Sequence, residues 1–598
     1  MNIILHKIKH IYNFVDDNNY ERKIKMRNYD RINALPPKDI DRKHAHIIGG
    51  GIAGLSAAIA LVTDAHMPAG NVTIYESLPV VGGSMDGAGN AWHGYTCRGE
   101  RELEARMECL WYVCSKVPSI QTPGRTILDE TFEANVREPI YSHFRLIHKQ
   151  GQRYPTTGPL MSDKDTQRMA ELILTPEEEL EGLTVADWFT PEFTKTVFWY
   201  CWSSMLAFRD FHSIIEVKRY LARFMMYAPG LTHLDGILHT EYNEYDSLIK
   251  PMQVWLQSLG VHFVTGTTVI DMDLVDQADE TIVTGLTLRD AGGERQVALN
   301  RDDLVFFTNG SLTQNASMGD TYTLAPMNRD TQERGCFTLW EKLAVRHPKF
   351  GNPAAFLSDI EKTNWISFFP TIRDGRVFFD YMEKKTGDRM GCGGAITVTD
   401  SSWKIGFVLY GKYFPDQPDD VNVLWAYGQV SDVPGDYIKK PMRECTGAEM
   451  FAELLYHCGL SKEQIDQVLA HSNVSTSMMP YITSQFMPRK ISDRPKVIPA
   501  GCVNLAFIGQ FVELPQDVVF TVETSVRTAL MAVWGLTGLQ KPMVPIYEPT
   551  YDLRVVVANL KASLDLKEIT PADLPHILRT SPSPRLLLRY LKTLPKLP

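Results

Sequence analysis

The hydrophobic pattern begins with a short apolar strand, a glycine-rich turn and an apolar helix. The stretch HAHIIGGGIAGLSAAIALV, residues 44–62, predicts a strand that ends near Gly49 and a helix that begins near Gly51. The stretch PAGNVTIYE, residues 68–76, predicts a turn and a second strand. Together these elements predict a βαβ unit of about 30 residues.

Two later apolar stretches also end at polar loops. The stretches LVFFTNGS (304–311) and NLAFIGQ (504–510) each predict a strand that leaves the core at a loop, and a helix follows the second. We expect these strands to join the βαβ unit in a discontinuous Rossmann-like α/β domain. The three segments assigned to this domain are residues 44–100, 241–320 and 490–540.

Two long insertions separate these segments, at residues 101–240 and 321–489. The first is rich in aromatic residues at helical spacing, and the second mixes strands such as WKIGFVLYGKYF with helices such as AEMFAELLYHCGL. Such apolar positions belong either to an ordinary core or to a pocket for a long apolar ligand. We expect the insertions to form a mixed α+β substrate-binding region.

Composition and charge exclude several classes of protein. The chain has 598 residues, 44% of them hydrophobic, and no apolar run of the roughly 18 residues that a membrane-spanning helix needs. Its start lacks the apolar core of a signal peptide, so we expect a cytoplasmic protein. The net charge of -10 argues against nucleic acid as a partner. Its nine cysteines form no C-x-x-C pair, which favours free thiols over a metal site.

The glycines of the βαβ unit match a dinucleotide-binding signature. Gly49 permits the tight turn, Gly51 lets the backbone approach a pyrophosphate, and Gly54 allows the helix to pack closely on the strand. The helix N-terminus adds free N–H groups, and Glu76 can accept hydrogen bonds from a ribose hydroxyl. The glycines of MGCGGAITVTD, residues 390–400, precede a strand instead, so no second nucleotide domain is predicted.

The segment TCRGERELEARMECLW, residues 96–111, concentrates charge close to this signature. Here the chain resembles the FAD-dependent oleate hydratases, also called myosin-cross-reactive antigens. The resemblance runs from about residue 44 to residue 541. It is carried by HIIGGGIAGLSAAIALV, RGERELEARMECLW, FWYCWSSMLAFRDFHSIIEVKRYLARF, YNEYDS, VFFTNGS, YGQVSDVPGDYIKKPMRECTG and MMPYITSQFMPR.

The resemblance implies a hydro-lyase that adds water to the cis double bond of an unsaturated fatty acid such as oleate or linoleate. It implies FAD in a structural and electrostatic role. Glu102 matches the family's water-aligning glutamate, and Tyr220 in RYLARF matches its proton-donating tyrosine. Whether Tyr220 or a carboxyl group gives the proton stays open. The residues expected at the flavin are Gly49, Gly51, Ala53, Gly54, Glu76, Gly82, Gly83, Ser84, Arg98, Arg101, Val269, Asn309 and Gly509.

Two positions and one strand depart from the family pattern. Glu100 stands where the family has glycine, and Glu244 stands where it has glutamine. With Glu102, these acids would repel one another in a shared pocket, so we expect at least one to be protonated unless Arg98 or Arg101 neutralises it. We expect Glu244 to be the protonated member and place it in the catalytic group. The family's polar contacts to the substrate carboxylate are also missing from GFVLYGKYF. Tyr410, Lys412 and Tyr413 are the substitutes that this strand offers.

The two ends of the chain are distinct from the rest. Residues 1–43 form an N-terminal extension, either an arm on the body or a tail, and residues 541–598 form a basic C-terminal segment expected to be helical. The stretch Arg579–Pro598 carries five basic and no acidic residues between leucines. It suits either peripheral contact with an anionic membrane or docking on the body. The sequence leaves open whether the protein is a monomer or a homodimer.

Two alternative functions share this nucleotide-binding layout. One is a flavin oxidoreductase of the amine oxidase or carotenoid desaturase type. The other is a lipid-binding flavoprotein without catalytic activity, which the basic tail and the altered anchor strand favour.

Overall fold

A computed structural model of the chain describes residues 35–373, 376–552, 554–555 and 558–559. Most of the N-terminal extension and the basic stretch Arg579–Pro598 lie outside these residues. The predictions for a tail and for membrane contact therefore stay predictions.

The predicted βαβ unit is confirmed. The strand Ala45–Ile48 pairs in parallel with the strand Val72–Tyr75, and the helix Ile52–Thr63 connects them. Gly51 is the residue that precedes the helix, in an extended conformation. The helix is buried along most of its length because its small and branched apolar side chains face the core on nearly every side.

Five parallel strands form the central sheet. In space they follow the order Leu505–Ile508, Leu304–Thr308, Ala45–Ile48, Val72–Tyr75 and His262–Val264. The strand Ala45–Ile48, the first of the five along the chain, is therefore central. The next two strands along the chain lie on one side of it, and the last two lie on the other side. This is the order of a doubly wound Rossmann-like sheet, which confirms the predicted α/β class.

All five strands lie within the segments 44–100, 241–320 and 490–540. The exact domain boundaries stay a prediction. The helix Val522–Thr537 follows the last strand and packs on the helix Ile52–Thr63. A separate antiparallel sheet lies in the chain between the strands His262–Val264 and Leu304–Thr308. It consists of Thr268–Gln277, Glu280–Asp290 and Gly293–Ala298.

A second large sheet is built from the two insertions and the short strand Ser317–Gly319. Its eight strands follow the order Ser317–Gly319, Ser472–Met479, Trp365–Ile372, Asn422–Gly428, Ile405–Leu409, Ile396–Val398, Leu146–His148 and Gln152–Arg153. Neighbours are antiparallel except for the pair Ile396–Val398 and Leu146–His148. The third and fourth strands of this order, Trp365–Ile372 and Asn422–Gly428, are buried at every position, because both faces of the sheet are covered.

The insertions supply most of the remaining helices, as predicted. The other α-helices are Glu108–Cys114, Ile127–Arg137, Asp163–Leu174, Val185–Trp188, Val197–Leu206, Ile214–Phe224, Lys250–Leu259, Cys336–Arg346, Ala354–Leu357, Ile360–Thr363, Val377–Thr386, Gly447–Cys458 and Lys462–Ala470. A π-helical turn, Tyr245–Ile249, leads into Lys250–Leu259. Two short strand pairs complete the fold, namely Ala88–Asn90 with Gly94–Thr96 and Leu103–Glu104 with Ile237–Leu238.

The C-terminal segment begins without a regular helix. Residues 541–548 have no regular secondary structure, and a 3-10 turn follows at Pro549–Tyr551. Within the described part of the chain, no helix is both long enough and apolar enough to span a bilayer. All nine cysteines are free thiols.

Candidate active site

The central sheet carries a cleft of about 350 Å³ at the carboxyl ends of its strands. The cleft lies where Ala45–Ile48 leads into Gly49 and where Leu304–Thr308 leads into its loop, which is the position of ligands in doubly wound sheets. Most of the residues predicted at the flavin line it. They are Gly49, Gly51, Ala53, Glu76, Gly82, Gly83, Ser84, Arg98, Val269 and Gly509.

The three signature glycines have different structural tasks. Gly49 has a φ of 106°, which is in the left-handed region that favours glycine. A Cβ atom on Gly54 would lie 2.0 Å from the carbonyl oxygen of Gly49, so the helix packs too closely for any side chain there. A Cβ atom on Gly51 would meet nothing closer than the Cα atom of Gly83 at 3.8 Å. Gly51 therefore leaves the space in the cleft open for a ligand.

The carboxylate of Glu76 is held at the rim of the cleft by the backbone. Its Oε2 atom accepts a hydrogen bond from the N–H of Gly50 at 2.8 Å, and its Oε1 atom accepts one from Leu78 at 2.9 Å. A carboxylate has about four acceptor positions, so Glu76 can still accept a bond from a ribose hydroxyl.

Three residues predicted at the flavin do not line this cleft. Gly54 lets the helix Ile52–Thr63 pack closely on the strand Ala45–Ile48, as the glycine spacing predicted. Asn309 is fully buried, and its Nδ2 atom donates to the carbonyl of Phe511 at 3.0 Å, whereas its Oδ1 atom has no hydrogen-bond partner within the described structure. Arg101 lines the apolar cavity, where its guanidinium lies 5.5 Å over the ring of Phe520, and its Nη2 atom also donates at 3.5 Å to the carbonyl of Ser84, a residue of the cleft.

Thr308 is a cleft residue that the sequence analysis missed. It lines the cleft, and its buried Oγ1 atom has no hydrogen-bond partner within the described structure. The signal was available, because a polar residue ends the apolar run LVFF just before Asn309. Thr308 and Asn309 are adjacent, and each has a buried oxygen atom without a hydrogen-bond partner within the described residues, so the predicted role of Asn309 stays a prediction.

The charged loop after Thr96 connects the cleft to a second cavity. Arg98 lines the cleft, where its Nη2 atom donates to the carbonyl of Gly83 at 2.6 Å and its Nε atom donates to Asp86 at 2.8 Å. Glu100, Arg101 and Glu102 line the second cavity. The charged loop therefore runs from the cleft to the neighbouring cavity.

This neighbouring chamber, here called the apolar cavity, is lined mainly by large apolar side chains. Representative members are Trp202, Leu206, Phe224, Trp365 and Trp425. Glu102 and Tyr220 both line it, so the two residues implied as catalytic face the same chamber.

Glu102 reaches the chamber from an anchored segment. It directly precedes the strand Leu103–Glu104, which pairs with Ile237–Leu238. The neighbouring Glu104 forms a buried ion pair with Arg223 at 2.8 Å. These contacts fix the position of the backbone that carries the Glu102 side chain.

Tyr220 is fully buried on the helix Ile214–Phe224. Its hydroxyl donates a hydrogen bond to the backbone carbonyl of Val519, and the edge of its ring meets Phe208 with 5.1 Å between centroids. Burial raises the pKa of Tyr220 well above its usual range, and the charges of Glu216 and Asp517 add to the shift. Tyr220 is therefore a well-positioned hydroxyl but a weak acid.

Phe520 lines the apolar cavity next to a residue of the cleft and was not foreseen from the sequence. Its backbone N–H donates to Oε1 of Gln510, a residue of the cleft. Its φ of 76° is unusual for a bulky side chain, and such strain is concentrated at functional sites. In this position the ring lies 5.5 Å from the guanidinium of Arg101.

Glu100, Glu102 and Glu244 lie close enough to influence one another's charge. Burial raises the pKa of Glu102 to about 7, against the opposing charge of Arg145. Burial also raises the pKa of Glu100 well above its usual range, and the charges of Glu102 and Glu244 add to that shift. The pKa of Glu244 is raised by burial as well. The upward shift is stronger at Glu100 than at Glu244, although the sequence favoured Glu244 as the protonated member.

A third chamber, here called the polar cavity, adjoins the apolar cavity. It is lined by all three of these glutamates and by Tyr410, Lys412 and Tyr413, which were predicted at the substrate carboxylate. The rings of Tyr410 and Tyr413 stack with 3.8 Å between centroids, and the hydroxyl of Tyr413 donates to Glu244 at 3.3 Å. The side chain of Lys412 is exposed.

Arg145 is a buried cation behind the apolar cavity. Its guanidinium donates to the carbonyl groups of Leu231 at 2.6 Å and Ala395 at 3.2 Å, two residues that line the cavity with Glu102. No carboxylate of the described residues lies within ion-pair distance of it. The positive charge of Arg145 can therefore lower the pKa of Glu102. No sequence motif predicted this residue.

Within the described ranges, one group of side chains brings metal-ligating atoms together. Asp436, Glu453 and His457 have such atoms within 4.8 Å of one another. However, the carboxylate of Glu453 already accepts hydrogen bonds from the backbone N–H groups of Asp436, Tyr437 and Ile438. The group thus serves to hold a loop on the helix Gly447–Cys458.

Comparison with known proteins identifies relatives along nearly the whole chain. The model of the MCRA family matches residues 42–534. An oleate hydratase from Streptococcus pyogenes serotype M49 (strain NZ131) is 36% identical over 549 residues, which cover 90% of this chain and 92% of that protein. A linoleate hydratase from Lactiplantibacillus plantarum is 30% identical over 556 residues, which cover 86% of this chain and 96% of that protein.

Solved structures are more distant. The cyclohexylamine oxidase from Brevibacterium oxydans IH-35A matches with 12% identity and a TM-score of 0.48, over 83% of this chain and 99% of that chain.

Proposed function

The chain belongs to the MCRA family, and from this membership we propose that it is a fatty acid hydratase. It adds water to the cis double bond of an unsaturated fatty acid such as oleate or linoleate and forms a hydroxy fatty acid. The relatives named as oleate and linoleate hydratases support this proposal. The observation that carries it is a glutamate and a tyrosine, Glu102 and Tyr220, in one apolar cavity.

Hydration of an isolated double bond needs an apolar site with a few polar groups at one point. The aromatic and aliphatic side chains of the cavity bind the acyl chain, which excludes bulk water from the double bond. Glu102 orients a water molecule and accepts one of its protons as the oxygen bonds to carbon. A carboxyl group with a pKa of about 7 is half ionised near neutral pH, which suits a general base.

The proton for the second carbon has two candidate sources at this cavity, Tyr220 and a neutral carboxyl group of Glu100. Tyr220 is the donor that family resemblance implies. Burial raises the pKa of both groups, so each holds its proton more tightly than it would in water. Both therefore stay candidates for the general acid.

We place FAD in the cleft beside the apolar cavity. Gly51 and the N-terminus of the helix Ile52–Thr63 would hold the pyrophosphate, Glu76 would bind a ribose, and the unpartnered hydroxyl of Thr308 would meet a polar group of the cofactor. The flavin would supply structural and electrostatic support to a reaction without net oxidation or reduction. Arg98 would keep the loop that leads to Glu102 in place against the loaded cleft.

One assay separates hydration from the alternatives. Purified protein is incubated with FAD and oleate, with and without a reductant, and the products are analysed by mass spectrometry. We expect a product heavier than oleate by one water. Stoichiometric consumption of an electron acceptor would instead indicate an oxidase or desaturase, and recovery of unchanged oleate would indicate a lipid-binding protein.

A further inference from the structure

The chain between the last strand of the central sheet and the helix Val522–Thr537 contacts both the cleft and the apolar cavity. Gln510 lines the cleft, whereas Phe520 and Thr521 line the apolar cavity. Residues 513–521 are here called the bridging segment. Because this segment leads from one chamber to the other, a change in its backbone at one chamber affects the other.

The bridging segment is fixed to the helix Ile214–Phe224 by buried ion pairs. Nη2 of Arg219 lies 2.6 Å from Oε1 of Glu513, and Nε of Arg223 lies 3.7 Å from Oδ1 of Asp517. All four side chains are nearly fully buried, and a buried charge that loses its partner is strongly destabilising. The segment is therefore held firmly on the side of this helix.

Tyr220 of the same helix depends on the bridging segment for the orientation of its hydroxyl. Within the described structure, this hydroxyl donates its hydrogen bond to the carbonyl of Val519. The next residue is Phe520, whose φ of 76° persists in a bulky residue only where surrounding contacts hold it. A change in the backbone at Phe520 would therefore move the acceptor that orients Tyr220.

The side chain of Gln510 supplies contacts that hold Phe520 in this conformation. Its Oε1 atom accepts a hydrogen bond from the backbone N–H of Phe520, and its Nε2 atom donates to the carbonyl of Thr521 at 2.9 Å and to Oγ of Ser525 at 2.8 Å. These bonds use both donors of the amide and one of the two acceptor positions of its oxygen. The second acceptor position can take a donor group of a ligand in the cleft.

On these grounds we propose that Gln510 is a positioning residue that connects the cofactor cleft to Tyr220 through the bridging segment. The inference rests on the proposed hydratase function and deepens it. Gln510 would accept a hydrogen bond from the cofactor, and its amide would then keep Phe520 and the carbonyl of Val519 in place. This route is separate from the charged loop that carries Glu102.

Two sites connected in this way affect each other's affinity. If Gln510 orders the wall of the apolar cavity, an acyl chain binds more tightly when the cofactor is bound. By linkage, the cofactor then binds more tightly, by the same factor, when an acyl chain is bound. This coupling factor is a ratio of two affinities, so a variant that weakens only one site leaves it unchanged.

Stearate is the probe for the acyl chain, because it has the length of oleate and no double bond to hydrate. The Kd for FAD is measured by flavin fluorescence with and without saturating stearate. We expect stearate to lower this Kd by about fivefold or more in the wild-type protein and by less than about twofold in Gln510→Met. Methionine is similar in length to glutamine but cannot donate hydrogen bonds and is only a weak acceptor.

The matched control is Gln314→Met, the same substitution elsewhere in the cleft. Gln314 lines the cleft, and its Nε2 atom donates to Asn315 at 3.0 Å and not to the bridging segment. This variant should keep the coupling factor of the wild-type protein even where it binds FAD more weakly.

A second variant acts from the other end of the connection. Tyr220→Phe keeps the ring and removes only the hydroxyl that binds the carbonyl of Val519. Tyr220 does not line the cleft, so the Kd for FAD without stearate should stay unchanged. The coupling factor should fall, because the bridging segment loses its bond to the helix next to Phe520.

Four results would overturn the inference. They are a wild-type protein without coupling, an unchanged coupling factor in Gln510→Met, an equal loss in Gln314→Met, and an unchanged coupling factor in Tyr220→Phe. The last result decides the question if Gln510→Met does not fold. Failure of the proposed function is distinct, because the wild-type protein would then form no hydroxy fatty acid from oleate, whereas the stearate measurement needs no turnover.

Discussion

The backbone N–H of Arg101 donates a 2.5 Å hydrogen bond to Oε1 of Glu244. This bond ties the loop that carries Glu102 to the segment before the π-helical turn Tyr245–Ile249. Glu244 therefore has two roles that can be separated. Its oxygen holds the loop, and its charge acts on Glu100.

Replacing Glu244 by glutamine should keep the first role and remove the second. The amide oxygen of Glu244→Gln can accept the same bond from Arg101, so we expect hydration to persist. The negative charge of Glu244 helps to raise the pKa of Glu100, so its removal lowers that pKa. A rate that needs neutral Glu100 is lost as pH rises through its pKa, so the alkaline limb of the kcat profile should move to lower pH.

The control for this prediction is Glu244→Ala, which lacks the acceptor and should lower the rate at every pH. A pH profile of Glu244→Gln that superimposes on the wild-type profile would show that Glu244 does not titrate with the reacting groups.

Glu102→Gln should abolish most of the hydration while FAD stays bound. Loss of a general base typically costs roughly 10²–10⁴-fold in rate. The flavin should remain because Glu102 does not line the cleft. Product formation and the flavin absorbance of the purified variant measure the two effects. Glu133→Gln, at an exposed ion pair with Arg125, is the matched control. A Glu102→Gln protein with wild-type turnover would remove this residue from the mechanism.

Arg145 should set the acid limb of the pH profile. Its charge lowers the pKa of Glu102, which burial holds at about 7. In Arg145→Met the pKa of Glu102 should rise, so the carboxylate needed as a base forms only at higher pH and the acid limb moves upward. Arg145→Lys keeps a positive charge and should shift the limb less. Circular dichroism of both variants monitors folding, and an acid limb that stays in place in folded Arg145→Met would refute this role.

Two variants separate the candidate proton donors. Tyr220→Phe keeps the ring packing and removes only the hydroxyl, whereas Glu100→Gln removes the titrating carboxyl group. The variant that lacks the true donor should lose about 10²-fold or more in kcat. Tyr227→Phe is the control for the tyrosine, because Tyr227 lines the same cavity. A Tyr220→Phe rate equal to that of wild type would assign the proton to a carboxyl group.

Gly51→Val should produce a folded protein without flavin. An added Cβ atom meets no protein atom closer than 3.8 Å, and the valine side chain would occupy the space of the pyrophosphate. Absorbance after FAD titration, compared with Gly70→Val, measures the effect, and thermal unfolding shows that the fold persists. A yellow Gly51→Val protein with a normal FAD content would mean that the cofactor binds elsewhere.

The sequence by itself determined the nucleotide-binding half of the molecule. The strand Ala45–Ile48, the glycine turn, the helix Ile52–Thr63 and the strand Val72–Tyr75 are specified by contiguous residues with regular periodicity. Their interactions are local, so spacing alone places Gly49, Gly51 and Gly54. Resemblance to a family extended this reading to Glu102 and Tyr220, which the structure brings to one cavity.

Only the tertiary structure decided which side chains meet across long stretches of chain. Arg145 approaches the Glu102 cavity through the carbonyl groups of Leu231 and Ala395, and no periodicity links such distant positions. The contact of the Arg101 side chain with Phe520 and the position of Thr308 in the cleft depend on loop conformation, which strand patterns leave undetermined. The cluster of Glu100, Glu102 and Glu244 has the same origin, because folding brings together glutamates from distant parts of the chain and burial then raises their pKa values.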